Sequence, residues 1–300
     1  SMWNNYLPNP HFVESFETAT GEKFNWDNYL PGYSAMKEKE RVVFFLRDGL
    51  SAAEKERMAA YGADMSKYLD SGNEARIKKA YESRDPRLQM AVITPYAQYN
   101  GASSGIAHTY TLRWPYRGSD SAEPFDIRTD TNDKFYYLWR KFVPEGLEQT
   151  ERDTYGLDIP LIRYAEVLLL KAEALNEWGS IHESEAIRCV NEVRRRAGHV
   201  ELNNATYPAT KVNGQSDLRE RIRNEYYWEI GGEDSMYFHE LRWGTWKDKK
   251  FDNNRNGLMQ MWGETTYTWY WLGDQCWSWP IPAKEMEMNS NLEQNEGWIN

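Results

Sequence analysis

Two groups of aromatic residues stand among polar ones in a way that suits non-covalent chemistry. The first is Tyr96, Tyr99, Asn100, Arg113, Trp114 and Tyr116, within a stretch (94–134) rich in Gly, Ser, Thr, Asp and Pro. The second is Tyr267, Trp269, Tyr270 and Trp271, in a run that continues to Trp277 and Trp279. Trp26 adds a single ring in an early loop. A flat ring offers an apolar face, and Asn, Asp or Arg beside it offers hydrogen bonds at the rim. Such a platform stacks a ligand that has an apolar face and polar edges, with no perturbed acid and no metal. Trp114, between Arg113 and Pro115-Tyr116, is expected to be exposed and to lead the site, with Tyr116 and Tyr99 beside it.

Covalent chemistry finds fewer candidates. Glu225 and Glu229 share a helix face at the spacing of a carboxylate pair, which is also a common spacing on exposed helices. In Arg84-Asp85-Pro86-Arg87, Asp85 accepts hydrogen bonds around a turn fixed by Pro86, and the arginines pair with carboxylates or helix-end carbonyls. Arg163, Glu166 and Glu173 read as ion pairs on a helix otherwise devoted to core. None of the five histidines form a helix-spaced pair and there is no CxxC, so no zinc site is expected. The acidic stretches Asp126 to Asp133 and Asp252 to Asn256 do not fit a calcium-loop signature. Cys189 and Cys276 read as separate buried thiols. No catalytic residue and no cofactor is expected.

The elements that must position these residues follow from periodicity and caps. Pro8, Pro10, Gly21, Pro31 and Gly32 make residues 1–32 mostly loop. Arg41 to Leu46 (RVVFFL) is a strand or a buried helical turn, which its periodicity leaves open. Ser51-x-x-Glu54 is a capping box and predicts a helix over 52–69. Asn73 caps a second helix over 73–82, which ends before Pro86. The stretch 94–134 reads as a long irregular insertion, and Phe135 to Phe142 as a strand. Asp158 and Pro160 open a helix over 160–178, and the spacing of Ala186, Ile187, Val190 and Val193 predicts another over 183–197. Their short connection makes them antiparallel neighbours of tetratricopeptide-like shape. A further helix is predicted over 217–230, and a shorter one from Ser235 to Trp243. Gly273-Asp274, between aromatic runs, is a hairpin signal. Trp139, Trp178, Trp228, Trp243 and Trp279 are assigned to the core.

Composition narrows the class. The chain has 300 residues, 36 Lys+Arg against 46 Asp+Glu, a net charge of -10, and 14 Trp, 20 Tyr and 10 Phe. It is too aromatic for disorder and lacks the basic footprint of a nucleic-acid binder. It has no apolar run of roughly 18 residues to cross a membrane.

Several segments, in order along the chain, then resemble one family. Pro8 to Gly21 (PNPHFVESFETATG) and Tyr81 to Leu88 (YESRDPRL) match its lead-in and its Y-x-x-R-D-P-R-L motif. Ile159 to Asn176 (IPLIRYAEVLLLKAEALN) and Ala186 to Gly198 match its helix pair. Leu218 to Gly244, Trp279 to Glu285 (WPIPAKE) and Asn291 to Gly297 (NLEQNEG) match its C-terminal motifs. The chain resembles the SusD/RagB family of outer-membrane glycan-binding lipoproteins of Bacteroidetes. The resemblance implies a helix-dominated α+β fold: a SusD-like C-terminal portion with one tetratricopeptide-like helix pair, short strands and long loops. One domain over 1–300 is expected, with a loop-rich part (3–156), a helical layer (157–246) and an aromatic hairpin with terminal loops (247–300). The family's N-terminal half, which holds most of its tetratricopeptide-like helices, is expected to be absent.

The resemblance further implies a non-catalytic protein at the cell surface. It would bind oligo- or polysaccharide and deliver it to a SusC-like TonB-dependent transporter, touching the membrane only through a lipid anchor on the missing N-terminus. Sugar rings carry C–H faces that stack on aromatics, so the residues named above fit this use. Family glycan contacts vary between members, so no motif carries a site over. Two departures stand out: the family has Gly and Arg near Glu233-Asp234-Ser235, and an acidic residue where His239 sits. Two other classes stand as alternatives: a protein-interaction scaffold of the transporter complex without its own glycan site, and a glycoside hydrolase, which needs two carboxylates facing across a cleft.

Overall fold

The computed structural model describes residues 7–103, 106–117, 124–129, 134–146, 158, 160–233, 235–251 and 257–298. Its helices are α1 (Pro10–Ser15), α2 (Glu38–Arg41), α3 (Ala52–Tyr61), α4 (Asn73–Glu82), α5 (Pro86–Ala91), α6 (Tyr164–Trp178), α7 (Glu183–Ala197), α8 (Gln215–Ile230), α9 (Ser235–Arg242), α10 (Trp246–Lys250) and α11 (Ala283–Met288). The strands are β1 (Val92–Ile93), β2 (Gln98–Ser103), β3 (Ile106–Thr111), β4 (Leu138–Trp139), β5 (Leu258–Met259) and β6 (Thr265–Tyr267). The fold is helix-dominated with short strands, as the sequence reading expects. Its contacts divide the chain into two compact units: Ser1–Glu233 with Met259–Glu264, and Asp234–Leu258 with Thr265–Asn300.

In the first unit, local chemistry sets the helix limits. Ser51 and Glu54 close the capping box at α3: Ser51 Oγ accepts from the Glu54 amide at 3.3 Å, and the Ser51 amide donates to Glu54 at 2.9 Å. The helix stops at residue 61, short of the expected 69. Gly62 takes φ +117 and turns its amide onto the Met58 and Ala59 carbonyls, a left-handed stop that glycine adopts without strain. Asn73 is not the cap of α4. Gly72 holds that position, and the buried Asn73 amide donates to the Val43 and Leu46 carbonyls at 2.9 and 2.6 Å. RVVFFL resolves as a helical turn: Val42–Phe45 form a 3-10 helix with all four side chains buried.

The insertion is less irregular than its composition suggests. β2 and β3 pair antiparallel from Gln98↔Thr111 to Ser103↔Ile106. Gly and Ser masked an alternation of Thr, Tyr and His that suits a two-stranded ribbon. Conversely, Phe135, Tyr136 and Tyr137 are all buried instead of alternating, and only Leu138–Trp139 pairs, with Val92–Ile93.

α6, α7 and α8 form the helical layer. α7 has the predicted limits, while α8 begins two residues earlier than expected, at Gln215. α6 begins at Tyr164, with Arg163 as the extended residue before it, so neither Asp158 nor Pro160 opens the helix. The reason lies in Arg163, whose guanidinium is drawn to α8: it donates to Glu229 at 2.8 Å and to Glu233 at 2.7 Å.

That contact belongs to a buried charge network that ties the first unit together. Arg87 donates to Asp85 and to Glu225, each at 2.6 Å, and reaches Glu229 at 3.4 Å. Arg194 donates to Glu225 at 2.9 Å and pairs with Glu17 at 3.2 Å. Arg196 also closes on Glu229, and His199 lies 3.1 Å from Glu17. Burial alone would raise the Asp85 and Glu229 carboxyls. Hydrogen bonds from Arg87 and Arg163 and the surrounding positive charge outweigh it, so both sit below the usual carboxylate range. Arg84 takes the other option foreseen for these arginines and donates to the Val13 and Phe16 carbonyls at the end of α1. Burial pushes its guanidinium down to about 10.

The second unit carries α9, α10, β6, α11 and the terminal segment. Residues 267–279 do not form the expected hairpin: Gly273 precedes a short 3-10 helix, Asp274–Trp277, and the aromatic run before it is irregular.

Candidate functional site

The leading sequence candidates are core residues. Trp114 is 4% exposed, with its ring 5.2 Å from Trp262 and stacked 6.1 Å from Phe135. The expectation that it is exposed is corrected: the backbone after β3 turns inward, and the Trp114 carbonyl accepts from the Arg47 amide at 2.7 Å. Tyr96 is buried and its hydroxyl donates to the Phe45 carbonyl at 2.7 Å. Tyr99 is buried and donates to the Pro144 carbonyl at 2.5 Å. Trp26 is buried too; its indole N–H donates to Glu14 at 2.7 Å and its ring stacks on Tyr33 at 4.8 Å. The polar tips of Tyr96, Tyr99 and Trp26 therefore each have an internal partner, which is how the core absorbs Tyr and Trp.

The remaining members of that group are engaged as well. Tyr116 is half-buried, and its hydroxyl accepts from the Thr129 amide at 2.8 Å and donates to the Lys134 carbonyl at 3.2 Å. Arg113 pairs with Asp126 and with Glu74. Asn100 is exposed on β2, facing Thr109 across the ribbon. The six residues thus do not form one surface platform. Asp126, from the first acidic stretch, is buried against Arg113 and Arg117, and the second acidic stretch lies outside the described residues. Among the described residues, no group of His, Cys, Asp and Glu is arranged to hold a metal ion.

Glu225 and Glu229 are not a poised acid–base pair. Glu225 is fully buried between Arg87 and Arg194, and Glu229 is held by Arg163, Arg196 and Arg87.

The second unit keeps aromatic faces at its surface. Tyr267, Trp269 and Tyr270 are 62%, 45% and 76% exposed. Trp271 is half-buried and anchors the run: its ring packs 5.2 Å from both Phe251 and Trp277, and its N–H donates to Asp274 at 3.1 Å. Lys247 also donates to Asp274, at 2.9 Å. Those two hydrogen bonds hold the Asp274 carboxyl below the usual range. One aromatic is thereby fixed from beneath while its sequence neighbours face solvent, with an ionised carboxylate and an ammonium alongside. This arrangement can stack a planar or ring-shaped ligand and bond its edge.

Trp178 and Trp279, which the sequence reading assigns to the core, lie at the surface instead. Trp279 is 77% exposed and Trp178 is 76% exposed. The signal for Trp279 was present in Pro280 and Pro282, which hold the chain extended and away from a helical or sheet core.

Residues 1–298 match the SusD family, and the chain is a member of it. It is similar to the SusD-like protein P38 of Formosa agariphila, 32% identical over 139 residues, which are 46% of this chain and 24% of that protein. It is similar also to the starch-binding protein SusD of Bacteroides thetaiotaomicron, 28% identical over 161 residues, 53% of this chain and 25% of that protein. The matched stretches thus make up about a quarter of each relative. A crystal structure of a SusD-like protein from Bacteroides fragilis overlays with a TM-score of 0.58 at 19% identity, covering 97% of this chain and 47% of that one.

Proposed function

We propose that this chain is the binding portion of a cell-surface protein that captures oligo- or polysaccharide without cleaving it and passes it to a SusC-like TonB-dependent transporter. The observation that carries this reading is membership of the SusD family along residues 1–298, with one similar protein named for starch binding. The exposed run Tyr267, Trp269 and Tyr270, fixed by Trp271, supports stacking as the mode of capture. Sugar rings present C–H faces that match such a surface, and their hydroxyls need the polar groups beside it. Glycoside hydrolysis is disfavoured because the helix-spaced carboxylates, Glu225 and Glu229, are each neutralised by arginine. No described helix is long and apolar enough to cross a membrane. Family membership supports a place at the outer membrane, held there by a lipid anchor.

Affinity electrophoresis in gels containing individual polysaccharides tests this directly. At least one neutral glycan is expected to retard the protein, with no reducing sugar released from it. Migration unchanged across a broad panel, or release of reducing ends, overturns the proposal.

A further inference from the structure

We propose that Asp274 sets the charge class of the ligand: its carboxylate takes hydroxyl groups of uncharged sugar rings stacked on the Tyr267–Trp271 run and turns anionic sugars away. The inference rests on the glycan reading and adds to it a specificity residue and a substrate class. All the residues involved lie in the second unit.

The argument starts from which oxygen is occupied. The Trp271 indole at 3.1 Å and the Lys247 ammonium at 2.9 Å both donate to the same atom, Oδ1. Oδ2 has no partner among the described residues. A carboxylate accepts hydrogen bonds and cannot donate them. The group that meets Oδ2 must therefore bring an O–H or N–H, and a hydroxyl does so with a charge-assisted bond, stronger than a neutral one. A sugar carboxylate or sulfate ester brings no donor and sets a second negative charge beside the first, which is a repulsive element against the wrong ligand.

The lysines nearby do not cancel this. Lys247 is committed to Oδ1 and to the Trp271 ring, 5.5 Å from its centroid. Its pair with Asp274 is neutral as a whole, but the pole that faces water is the carboxylate: its side chain is 76% exposed, that of the lysine 33%. Lys250 faces the buried Glu240 at 3.7 Å and the Trp246 ring at 5.4 Å. The carboxylate is also in place before a ligand arrives. Gly273 takes φ +135, which glycine adopts freely, and Gln275 folds across it to donate to the Leu272 carbonyl at 3.1 Å. The Trp298 indole N–H meets the Gln275 and Ser278 carbonyls at 3.1 and 2.8 Å and closes the turn that Asp274 opens. Hydrogen bonds from Lys247 and Trp271 hold the Asp274 carboxyl below its ordinary 3.8, so it is ionised at neutral pH. A fixed acceptor costs little ordering when it binds.

Two derivatives of the polysaccharide that most retards the parent test the proposal: its neutral hydroxyethyl ether, and its carboxymethyl ether at equal substitution, similar in size and anionic. In affinity electrophoresis at low salt the parent should bind the neutral derivative about 4-fold or more tighter. In ~1 M NaCl, where the Debye length is about 3 Å, that ratio should fall towards one. Asp274→Asn keeps the shape and one acceptor. It should weaken binding of the neutral derivative by about 3-fold or more, and bring the ratio to one or below as Lys247 loses its counter-charge. The chain's net charge of -10 changes by a single unit, so such a change of ratio is local. An unchanged urea midpoint establishes that the variant is folded. If no polysaccharide retards the parent, the capture reading falls and this inference with it. If one does, but the parent binds both derivatives equally, or Asp274→Asn leaves their ratio as it was, this inference alone is overturned.

Discussion

Replacing Glu225 by Gln removes the charge at the centre of the buried network. The carboxylate is fully buried, one oxygen accepting from Arg87 at 2.6 Å and the other from Arg194 at 2.9 Å. Glutamine offers one acceptor and turns an amide N–H₂ toward a guanidinium, so one arginine loses its partner. Arg87 keeps Asp85, but Arg194 is left with Glu17 at 3.2 Å as its only carboxylate within 4 Å among the described residues. Breaking a buried ion pair on one side costs about 3–5 kcal/mol, a large part of the ~5–15 kcal/mol that holds a domain folded. With a urea dependence of ~3 kcal/mol per molar, the unfolding midpoint should fall by about 1 to 1.7 M. Tryptophan fluorescence in a urea series reads this, with Glu220→Gln as a control. Glu220 meets Arg223 at the surface at 3.4 Å, and its loss should cost under ~1 kcal/mol. A midpoint for Glu225→Gln within ~0.3 M of the parent would refute the claim that this cluster joins α5, α7 and α8 as described.

Other outcomes follow from the same geometry. Asp85 and Glu229 titrate below their ordinary values of 3.8 and 4.5, so the folded state holds its protons less readily than the unfolded one. Their contribution is complete above those values and is lost as pH falls through the depressed ones; the urea midpoint should drop between pH 6 and pH 3, and Glu229→Gln should flatten that drop. Trp114→Ala should cost roughly 3–5 kcal/mol through the cavity left beside Trp262 and Phe135, and leave glycan affinity of the folded protein intact. Ser51→Ala should cost about 1 kcal/mol by opening the α3 cap, with m unchanged.

The helices were legible where apolar period and stop signal agreed. α7 is the clearest case, its buried stripe ended by Gly198 at φ +74. Caps were less so, because the decisive partner is distant in sequence: Arg163 starts α6 from a contact with α8, and Asn73 serves carbonyls of an earlier turn instead of its own helix. The ribbon in the insertion was hidden by its small residues. The site was harder still. A loop rich in Gly and Ser does not show that its Trp faces water, and Trp114 is covered by Trp262 from far along the chain. Trp178 looked like core because its helix is apolar on more faces than its neighbours cover. Trp269 and Tyr270 carry the proposed platform, since the structure leaves them exposed.

The central claim is that this chain captures glycan by stacking on the Tyr267–Trp271 run. Isothermal titration of the parent and of a Trp269→Ala, Tyr270→Ala double variant, with an oligosaccharide from the polysaccharide that most retards the parent, measures it. Loss of two anchoring rings should weaken binding by roughly 30-fold or more, about 2 kcal/mol, with unfolding by urea unchanged. Equal affinity in the two proteins would contradict the account.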